Sequence, residues 1–415
     1  MKRVIGLLLC ALLTLCAALS GAENLTGEVV IDGVTFALDA KVINPDTEMT
    51  ARYKATGRRW GREPKDFFDI GAVMREPQDA KLIDAGGDGG RMYIVGEAFN
   101  SPWGDEHLQF GPGFVDYSTR FGGDATCGEQ RFGYADLPDR VANPYRKQLF
   151  EGVYRARNPK PEDVPDLEGI TYRQALSILE SYKGPFETGI QIGEPYYVEA
   201  WDQECRLAEV YDAAMGDTPL KREIDAAKAE PDYYVIYLRT YLQNKPALAG
   251  FAGLTNARYS TFDGGDEPVN ISNATAIVSA NGLERLTVNS YLSGLEQKGE
   301  LSPVLSAQQA FERVQQARNF FTRSDNFAPS TTFGAVLSHK ATITEIAPEF
   351  WAKMNTPYDG TYTLIPVWAF HVHIESVEER KDSSSIHWNG TRTCNYREDE
   401  VQTFAIDAIT GERVL

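Results

Sequence analysis

The sequence predicts an α+β fold in which helices pack on antiparallel sheets. Two segments, beginning at Thr171 and at Ser306, open with the same helix-capping pattern. Each is followed by a strand-like stretch that includes a proline, and then by a hairpin that closes on a glycine. The chain before residue 165 carries strand and turn signals instead, with many glycines. We therefore expect a β-rich amino-terminal domain followed by two tandem modules of one fold.

Capping boxes predict both helices. Thr171 stands three residues before Gln174, and Ser306 stands three residues before Gln309. In this arrangement the hydroxyl accepts a hydrogen bond from the first helical turn, and the glutamine reaches back to the backbone of the capping residue. Each helix then repeats apolar residues on one face, which is expected to cover a sheet: Ala175, Leu176 and Leu179 in the first, and Ala310, Phe311, Val314 and Phe321 in the second.

Strand signals begin with an amino-terminal hairpin. Apolar side chains recur at every second position from Val34 to Val42, which is the period of a strand with one buried face. Asp32-Gly33, just before this stretch, is a favoured two-residue hairpin turn. Similar turns are predicted later in the chain, at Asn281-Gly282 and at Thr410-Gly411.

The two later segments also match in length. From helix cap to closing glycine, the first runs from position 171 to 282 and the second from 306 to 411. The stretch 158–166 is rich in proline and charge and has no apolar periodicity, as is typical of a linker. We place the amino-terminal domain at 23–165 and the two modules at 166–300 and 301–415.

The last module resembles the PepSY-like domains of exported bacterial proteins. The resemblance is carried by Leu305–Ala310 at a helix start, Leu364–Phe370 on a central strand, and Ile406–Glu412 at the end. It implies an antiparallel sheet packed by helices, and roles outside the cell in restraining peptidases or modulating membrane-bound sensors. The chain is also similar to uncharacterised secreted and lipoprotein families of Gram-positive bacteria. The resemblance covers the last module closely and the first one loosely, and it implies no catalytic residue.

Residues 1–22 are predicted to be a signal peptide. Two basic residues precede an apolar run from Val4 to Leu19, and Ser20, Gly21 and Ala22 supply the small residues of a cleavage site. The run is shorter than the roughly 20 residues that span a bilayer, and no later stretch has the required length and apolar character. We therefore expect a secreted or envelope-associated protein outside the cytoplasmic membrane, with no transmembrane segment in the mature chain.

The cysteines leave two questions open. Cys10 and Cys16 lie in the predicted signal, and lipid attachment to one of them, tethering the protein at its start, is the alternative to cleavage after Ala22. The mature chain keeps the other three: Cys127, Cys205 and Cys394. Three cysteines cannot all pair, and their spacing matches no disulfide framework or zinc motif. One disulfide with a free thiol fits an oxidising compartment, and the pairing is left open.

The charge balance narrows the choice of partners. The chain has 41 basic and 59 acidic residues, and the two basic residues lost with the signal shift its net charge from −18 to −20. Such a surface repels phosphate backbones and anionic lipid, so we expect no nucleic-acid partner. A basic protein or peptide is compatible with it.

His371, His373 and Glu375 form the candidate metal site. They occupy every second position of a predicted strand, so they share one of its faces. Imidazole and carboxylate groups ligate zinc or copper, and His387 is a candidate for a further ligand. The alternative is a polar outer face of a half-buried sheet, alternating with the apolar residues between them.

The sequence favours binding or regulation over catalysis. It has no nucleophile-elbow serine and no His-Glu-x-x-His motif, and its glycine cluster at 85–90 is not a phosphate loop. We therefore predict no catalytic residue and no cofactor, and we expect a protein or peptide partner in the cell envelope. The alternative is a secreted hydrolase or carbohydrate-binding protein with its site in 23–165, formed by two facing carboxylates or by an aromatic stacking surface: Trp103, Phe110, Phe114, Tyr117, Phe121, Phe132 and Tyr134.

Overall fold

A computed structural model of the protein describes residues 24–43, 51–57, 64–84, 90–96, 105–111, 114–119, 154–187, 190–201, 231–242, 244–248, 274–289, 292–299, 301–318, 320–321, 327, 334–355, 361–382 and 392–414. The predicted signal peptide, two of the mature cysteines, and His387 lie outside these residues. Cys394 lies in a strand, but its side chain is also outside the described part. The predictions about cleavage, lipid attachment and disulfide pairing therefore stay predictions.

Strands dominate the described residues. The α-helices among them are α1 (Tyr172–Phe186) and α2 (Ala307–Gln316), and short 3-10 helices lie at Pro64–Asp66 and Ile70–Ala72. The strands are β1 (Asn24–Ile31), β2 (Val34–Val42), β3 (Arg52–Gly57), β4 (Lys81–Asp84), β5 (Arg91–Val95), β6 (Glu106–Gly111), β7 (Phe114–Thr119), β8 (Tyr154–Arg157), β9 (Gln191–Trp201), β10 (Tyr233–Leu242), β11 (Lys245–Pro246), β12 (Ala274–Ser279), β13 (Gly282–Asn289), β14 (Leu292–Lys298), β15 (Gly334–Met354), β16 (Thr361–Asp382) and β17 (Arg392–Asp407).

The predicted α+β class, with two helix-packed PepSY-like modules after a β-rich domain, is wrong. The fold is mostly β and is built on two large sheets. A seven-stranded sheet has the order β1-β2-β15-β16-β3-β14, with β17 beside β16, and a ten-stranded sheet has the order β4-β5-β6-β7-β13-β12-β10-β9-β8, with β11 beside β10. Early strands join both sheets, since β1 to β3 pair in the first and β4 to β7 in the second.

Irregularities in the strands explain why the sequence patterns did not predict much of the β-sheet. The 21-residue strand β15 shifts register after Val336 and after Ile343, so the alternation of apolar side chains is broken twice. It also contains Pro348, a residue that argues against a central strand. Pro348 lies beyond the last pairing of β15 with β2, at Ile346, so no strand of the described part pairs with it on that side.

The local predictions fared better than the fold class. Thr171 and Ser306 each cap a helix with both reciprocal hydrogen bonds, as the capping boxes predict. The first hairpin also forms, with Asp32 at φ 46° and Gly33 at φ 83° in the turn between β1 and β2. These positive values are the left-handed backbone that an Asp-Gly turn accommodates.

Each sheet has its own apolar core, and β15 and β16 contribute to both. Phe350 and Tyr362 pack with the ten-stranded sheet and α1, whereas Ile343 and Phe370 pack with α2 and β2. A smaller cluster lies on the opposite face of the β15–β16 ribbon: Leu248, Trp351, Ile365, Val367, Ala369 and Ala405. The ribbon also meets the segment after β10 directly, since the Leu248 amide donates to the Phe350 carbonyl at 2.9 Å. This meeting of the two sheets positions the site described next.

Candidate functional site

A buried polar cluster lies where β10 of one sheet faces β15 and β16 of the other. Arg239 of β10 donates from Nη2 to Oε1 of Glu345 at 2.8 Å, and its Nη1 lies 3.5 Å from Oε1 of Glu349. His371 of β16 places Nε2 3.0 Å from the same oxygen of Glu349. We call Arg239, Glu345, Glu349 and His371 the inter-sheet cluster.

Strand register brings these side chains together. Glu345 is paired with His371 between β15 and β16, and Thr403 is paired with His371 between β16 and β17. The next position on the same face is alanine in all three strands: Ala347, Ala369 and Ala405. These small side chains leave room above the sheet, and the long side chains of the cluster need that room.

The cluster is almost closed to solvent. Relative exposure is 4% for Glu345, 1% for Glu349 and 5% for His371, and the Arg239 side chain is 15% exposed. Burial disfavours the charge of Arg239, but the carboxylates of Glu345 and Glu349 outweigh it and raise the arginine's pKa above its ordinary value. The guanidinium therefore stays charged and compensates part of the negative charge of the two buried carboxylates.

The imidazole of His371 is held on both sides. A carboxylate accepts hydrogen bonds, so the contact of Nε2 with Glu349 fits the tautomer that carries its proton on Nε2. Nδ1 lies 2.9 Å from the Thr403 hydroxyl, which can either donate to it or accept from it. The Thr403 hydroxyl can therefore form a hydrogen bond with either tautomer of the imidazole.

A more exposed layer surrounds Arg239. Its Nε lies 3.5 Å from Oε1 of Glu194, whose side chain is 61% exposed. The Tyr241 hydroxyl donates to Glu194, with oxygen distances of 3.1 and 3.2 Å. Burial, followed by the nearby Glu194 carboxylate, raises the pKa of Tyr241 to about 12. Arg239 therefore has a third carboxylate, that of Glu194, within reach on the solvent side.

The structure brings His371 together with Glu345 and Glu349, and not with His373 and Glu375. The ligand atoms of Glu345, Glu349 and His371 all lie within 4.8 Å of one another, and no other group of potential metal ligands in the described residues meets this condition. His373 and Glu375 are half-buried on β16. Side chains two residues apart on one strand are about 6.5 Å apart, whereas cross-strand neighbours are about 5 Å apart. The sequence showed the spacing within one strand but not the register with its neighbour.

One sequence signal pointed to the two missed glutamates. Glu345 and Glu349 are four positions apart, so on a strand they share one face, as His371 and His373 do. Because the sequence patterns did not predict β15 as a strand, this spacing could not show that the two glutamates share a face.

Two buried carboxylates of the ten-stranded sheet, on Glu106 and Glu284, already accept several hydrogen bonds within the protein. Glu106 accepts from the Arg75 amide and from the Tyr117 hydroxyl, each at 2.8 Å. Glu284 of β13 accepts from Arg75 Nη2 at 3.1 Å and from the hydroxyls of Ser279 and Thr119 at 2.6 Å. These bonds tie the segment around Arg75 to the sheet, and they occupy the oxygens that a general acid or base would offer to a substrate.

The same holds across the described part of the chain. Each of its eight buried carboxylates accepts at least one hydrogen bond from an N–H or O–H group: Glu106, Asp116, Glu199, Asp232, Glu284, Glu345, Glu349 and Asp407. This is the pattern expected of carboxylates that hold a fold together.

The candidate aromatic stacking surface is not formed by the members that the structure describes. Phe110 and Tyr117 are buried in the core of the ten-stranded sheet, and Phe114 is half-buried. The other four aromatic residues of that set lie outside the described residues.

A second buried network lies on the ten-stranded sheet around Asp116. Arg285 forms a two-pronged ion pair with its carboxylate, at 3.0 and 3.2 Å, and the Thr287 hydroxyl donates to it. His107 Nε2 lies 3.6 Å from the same carboxylate. Burial raises the pKa of Asp116, but Arg285 together with His107 and Thr287 outweighs it and holds that pKa below its ordinary value of 3.8.

This network predicts an acid-labile contribution to stability. A carboxyl group with a depressed folded-state pKa stabilises the protein above its unfolded pKa, near 3.9, and loses that contribution as the pH falls through the folded value. The free energy of unfolding of Asp116→Asn is therefore expected to lie below that of the wild type at neutral pH and to approach it as the pH falls below about 4. Urea titrations between pH 3 and pH 7 measure the difference.

Asp84→Asn is the matched control, because Asp84 forms an ion pair with Arg91 but its side chain is 70% exposed. Its effect should stay below about 1 kcal/mol at every pH. A gap between Asp116→Asn and the wild type that did not narrow in acid would show that the charge of Asp116 is not what stabilises this region.

One edge of the ten-stranded sheet is exposed and apolar. All four residues of β4 are exposed, including Leu82 at 39% and Ile83 at 41%. Among the strands of the described residues, β4 is at the end of its sheet, and it pairs with β5.

Neither α-helix in the described residues has the length and apolar character needed to cross a bilayer. No protein-family model matches the chain, and no curated protein matches it. The fold itself has a relative among solved structures. A crystal structure of an uncharacterized protein from Eubacterium rectale superposes with a TM-score of 0.53, at 14% sequence identity, over 95% of this chain and 93% of that one. This likeness extends along nearly the whole of both chains, and the chain is therefore similar in fold to that bacterial protein.

Proposed function

We propose that the chain is an exported, non-enzymatic binding or regulatory protein that holds an extended segment of a protein partner along β4. The observation that carries this proposal is the exposed apolar edge formed by Leu82 and Ile83. An unpaired strand edge offers backbone N–H and C=O groups to an incoming strand, and exposed apolar side chains add contacts on both faces. Export rests on the predicted signal peptide.

Another sheet edge carries charges that discourage strand addition. The last part of β14 is exposed and reads Glu296-Gln297-Lys298. Charged side chains on an edge strand discourage pairing with another chain. β4 has such residues only at its ends, Lys81 and Asp84. It is therefore better suited than β14 to accept a partner strand.

Charge favours a basic partner. Residues 64–84, which lead into and include β4, contain five acidic and three basic residues, and the whole chain has a net charge of −18. A basic segment would be attracted to this surface, more strongly at low ionic strength. The engagement of all eight buried carboxylates of the described part in structural hydrogen bonds supports binding over catalysis.

Peptide selection tests the proposal. Random twelve-residue peptides displayed on phage and selected on the purified protein should yield basic sequences with strand-forming residues. Binding, measured by fluorescence anisotropy, should weaken at least tenfold in the double variant Leu82→Thr/Ile83→Thr, because threonine keeps strand propensity but removes apolar contact area. Hydrogen exchange should show new protection of β4 amides when peptide is bound.

Val30→Thr/Leu337→Thr is the matched control, since these apolar side chains are 55% and 53% exposed on β1 and β15. Both double variants are expected to keep wild-type stability within about 0.5 kcal/mol per site. Failure to select any peptide, or equal weakening in both variants, would rule out β4 as the docking edge.

A further inference from the structure

We propose that the inter-sheet cluster binds a divalent transition-metal ion of the Zn²⁺ type, with Glu345, Glu349 and His371 as ligands and Arg239 as the group that gives up its place. The ligand atoms of the three side chains already lie within 4.8 Å of one another. Zinc is bound by nitrogen and oxygen at about 2.0–2.2 Å in tetrahedral geometry, so two ligands of one ion lie about 3.3–3.6 Å apart. Small side-chain rotations would therefore close the site.

The donor set selects the kind of ion. One imidazole and two carboxylates resemble the three-ligand sets of zinc enzymes, which leave a fourth position open. Calcium takes about six to eight oxygen ligands, and magnesium keeps several waters around it, so neither suits a buried three-ligand site that includes an imidazole. We therefore expect Zn²⁺, Co²⁺ or Mn²⁺ to bind and Mg²⁺ not to compete.

Arg239 can move without losing a partner. Its guanidinium now contacts Glu345 and Glu349, and its Nε is already 3.5 Å from Glu194 on the exposed side. If Arg239 turns toward Glu194, that pair is balanced, and the divalent ion balances the two buried carboxylates. The exchange therefore leaves no charge of the cluster uncompensated, which a buried site requires. Because Arg239 is the most exposed member of the cluster, its movement also opens a path for the ion.

Thr403 can stabilise the tautomer of His371 that metal binding requires. Metal ligation through Nε2 requires the proton to sit on Nδ1, which lies 2.9 Å from the Thr403 hydroxyl. That hydroxyl would then accept from Nδ1–H, which is the supporting hydrogen bond that metal-ligating histidines usually make. The imidazole changes tautomer without changing its charge.

A second observation points to a further ligand at this face. Trp351 follows Glu349 by two residues on β15, so both lie on the same face of the strand. Its Nε1 is buried, and it has no hydrogen-bond partner among the described residues. A buried N–H donor on the strand face that carries Glu349 suits a water or anion bound at the open position of the metal.

Metal titration of the purified protein tests the proposal. Its cysteines are alkylated first, so that thiols do not bind the ion. Zn²⁺ is added in a calorimeter and Co²⁺ under a visible-light spectrophotometer, and one ion per chain is expected, with the absorption bands of low-coordinate cobalt. His371→Ala and Glu349→Gln should each weaken binding at least tenfold. His373→Ala, on the same strand two residues away, is the matched control and should bind as the wild type does.

Arg239→Gln distinguishes a metal site from a purely structural network. Removal of the competing guanidinium should tighten Zn²⁺ binding at least tenfold and make the rise in Tm on adding Zn²⁺ larger than in the wild type. The proposal is overturned if neither the wild type nor Arg239→Gln binds Zn²⁺ or Co²⁺. It is also overturned if His373→Ala weakens binding as much as His371→Ala, which would assign the ion to the set predicted from the sequence. The metal titrations use no variant of β4, and the peptide-binding experiment uses no variant of the inter-sheet cluster. A negative result in one experiment therefore leaves the other proposal standing.

Discussion

Replacement of Phe404 by alanine is expected to lower the free energy of unfolding by about 3–5 kcal/mol. Phe404 lies at the centre of the core between the seven-stranded sheet and α2, and it is 1% exposed. Its ring centroid is within 6.0 Å of five other phenylalanine rings: Phe36, Phe320, Phe321, Phe327 and Phe370. Truncation removes the buried area and leaves a cavity that rigid neighbouring rings fill poorly.

Urea unfolding followed by circular dichroism measures the loss. Phe404→Leu keeps most of the volume and should cost clearly less than Phe404→Ala. Phe67→Ala is the control, because Phe67 is 56% exposed and its truncation should change the unfolding free energy by no more than about 0.5 kcal/mol. If Phe404→Ala cost no more than Phe67→Ala, the ring cluster would not be part of the folded core.

Sequence patterns predicted those parts of the fold that depend on neighbouring residues. The capping boxes at Thr171 and Ser306 and the Asp32-Gly33 turn depend on contacts within a few residues, and all three are confirmed. The fold class depends instead on which distant strands pair. β15 runs parallel to β2 although about 300 positions of chain separate Thr342 from its partner Ala37. No local pattern encodes such a pairing. The two helices have clear sequence signals, so the predicted fold class assigned them a larger part of the structure than they have.

The site shows the same division. The sequence pattern indicated His371 as a candidate ligand, but it placed the partners of this residue along its own strand. In the structure they come from β15 and from β10 of the other sheet, Arg239 included. Arg239 is separated from Glu345 by 106 positions, so only the arrangement of the two sheets reveals the contact. Cross-strand register therefore decides which polar residues form a site.

In the absence of metal, Arg239→Gln is expected to lower the free energy of unfolding by about 3–5 kcal/mol, the cost of removing one partner from a buried ion pair. Glutamine keeps most of the side-chain length and can still donate a hydrogen bond, but Glu345 and Glu349 lose the charge that compensates them. Urea titrations in a chelating buffer measure the effect. Arg91→Gln is the control, since Arg91 pairs with the largely exposed Asp84 and its loss should cost less than about 1 kcal/mol.

A second substitution separates the effect of charge from the effect of hydrogen bonding. In Arg239→Gln/Glu345→Gln one buried carboxylate is neutralised, so the double variant should be more stable than Arg239→Gln alone, although each single change destabilises the wild type. A double variant less stable than both single variants would mean that hydrogen bonding and not charge makes Arg239 important.

All of these variants should still unfold in one transition. The reason is that Phe350 and Tyr362 pack in one core and Ile343 and Phe370 in the other, so the β15–β16 ribbon joins the two sheets independently of the cluster.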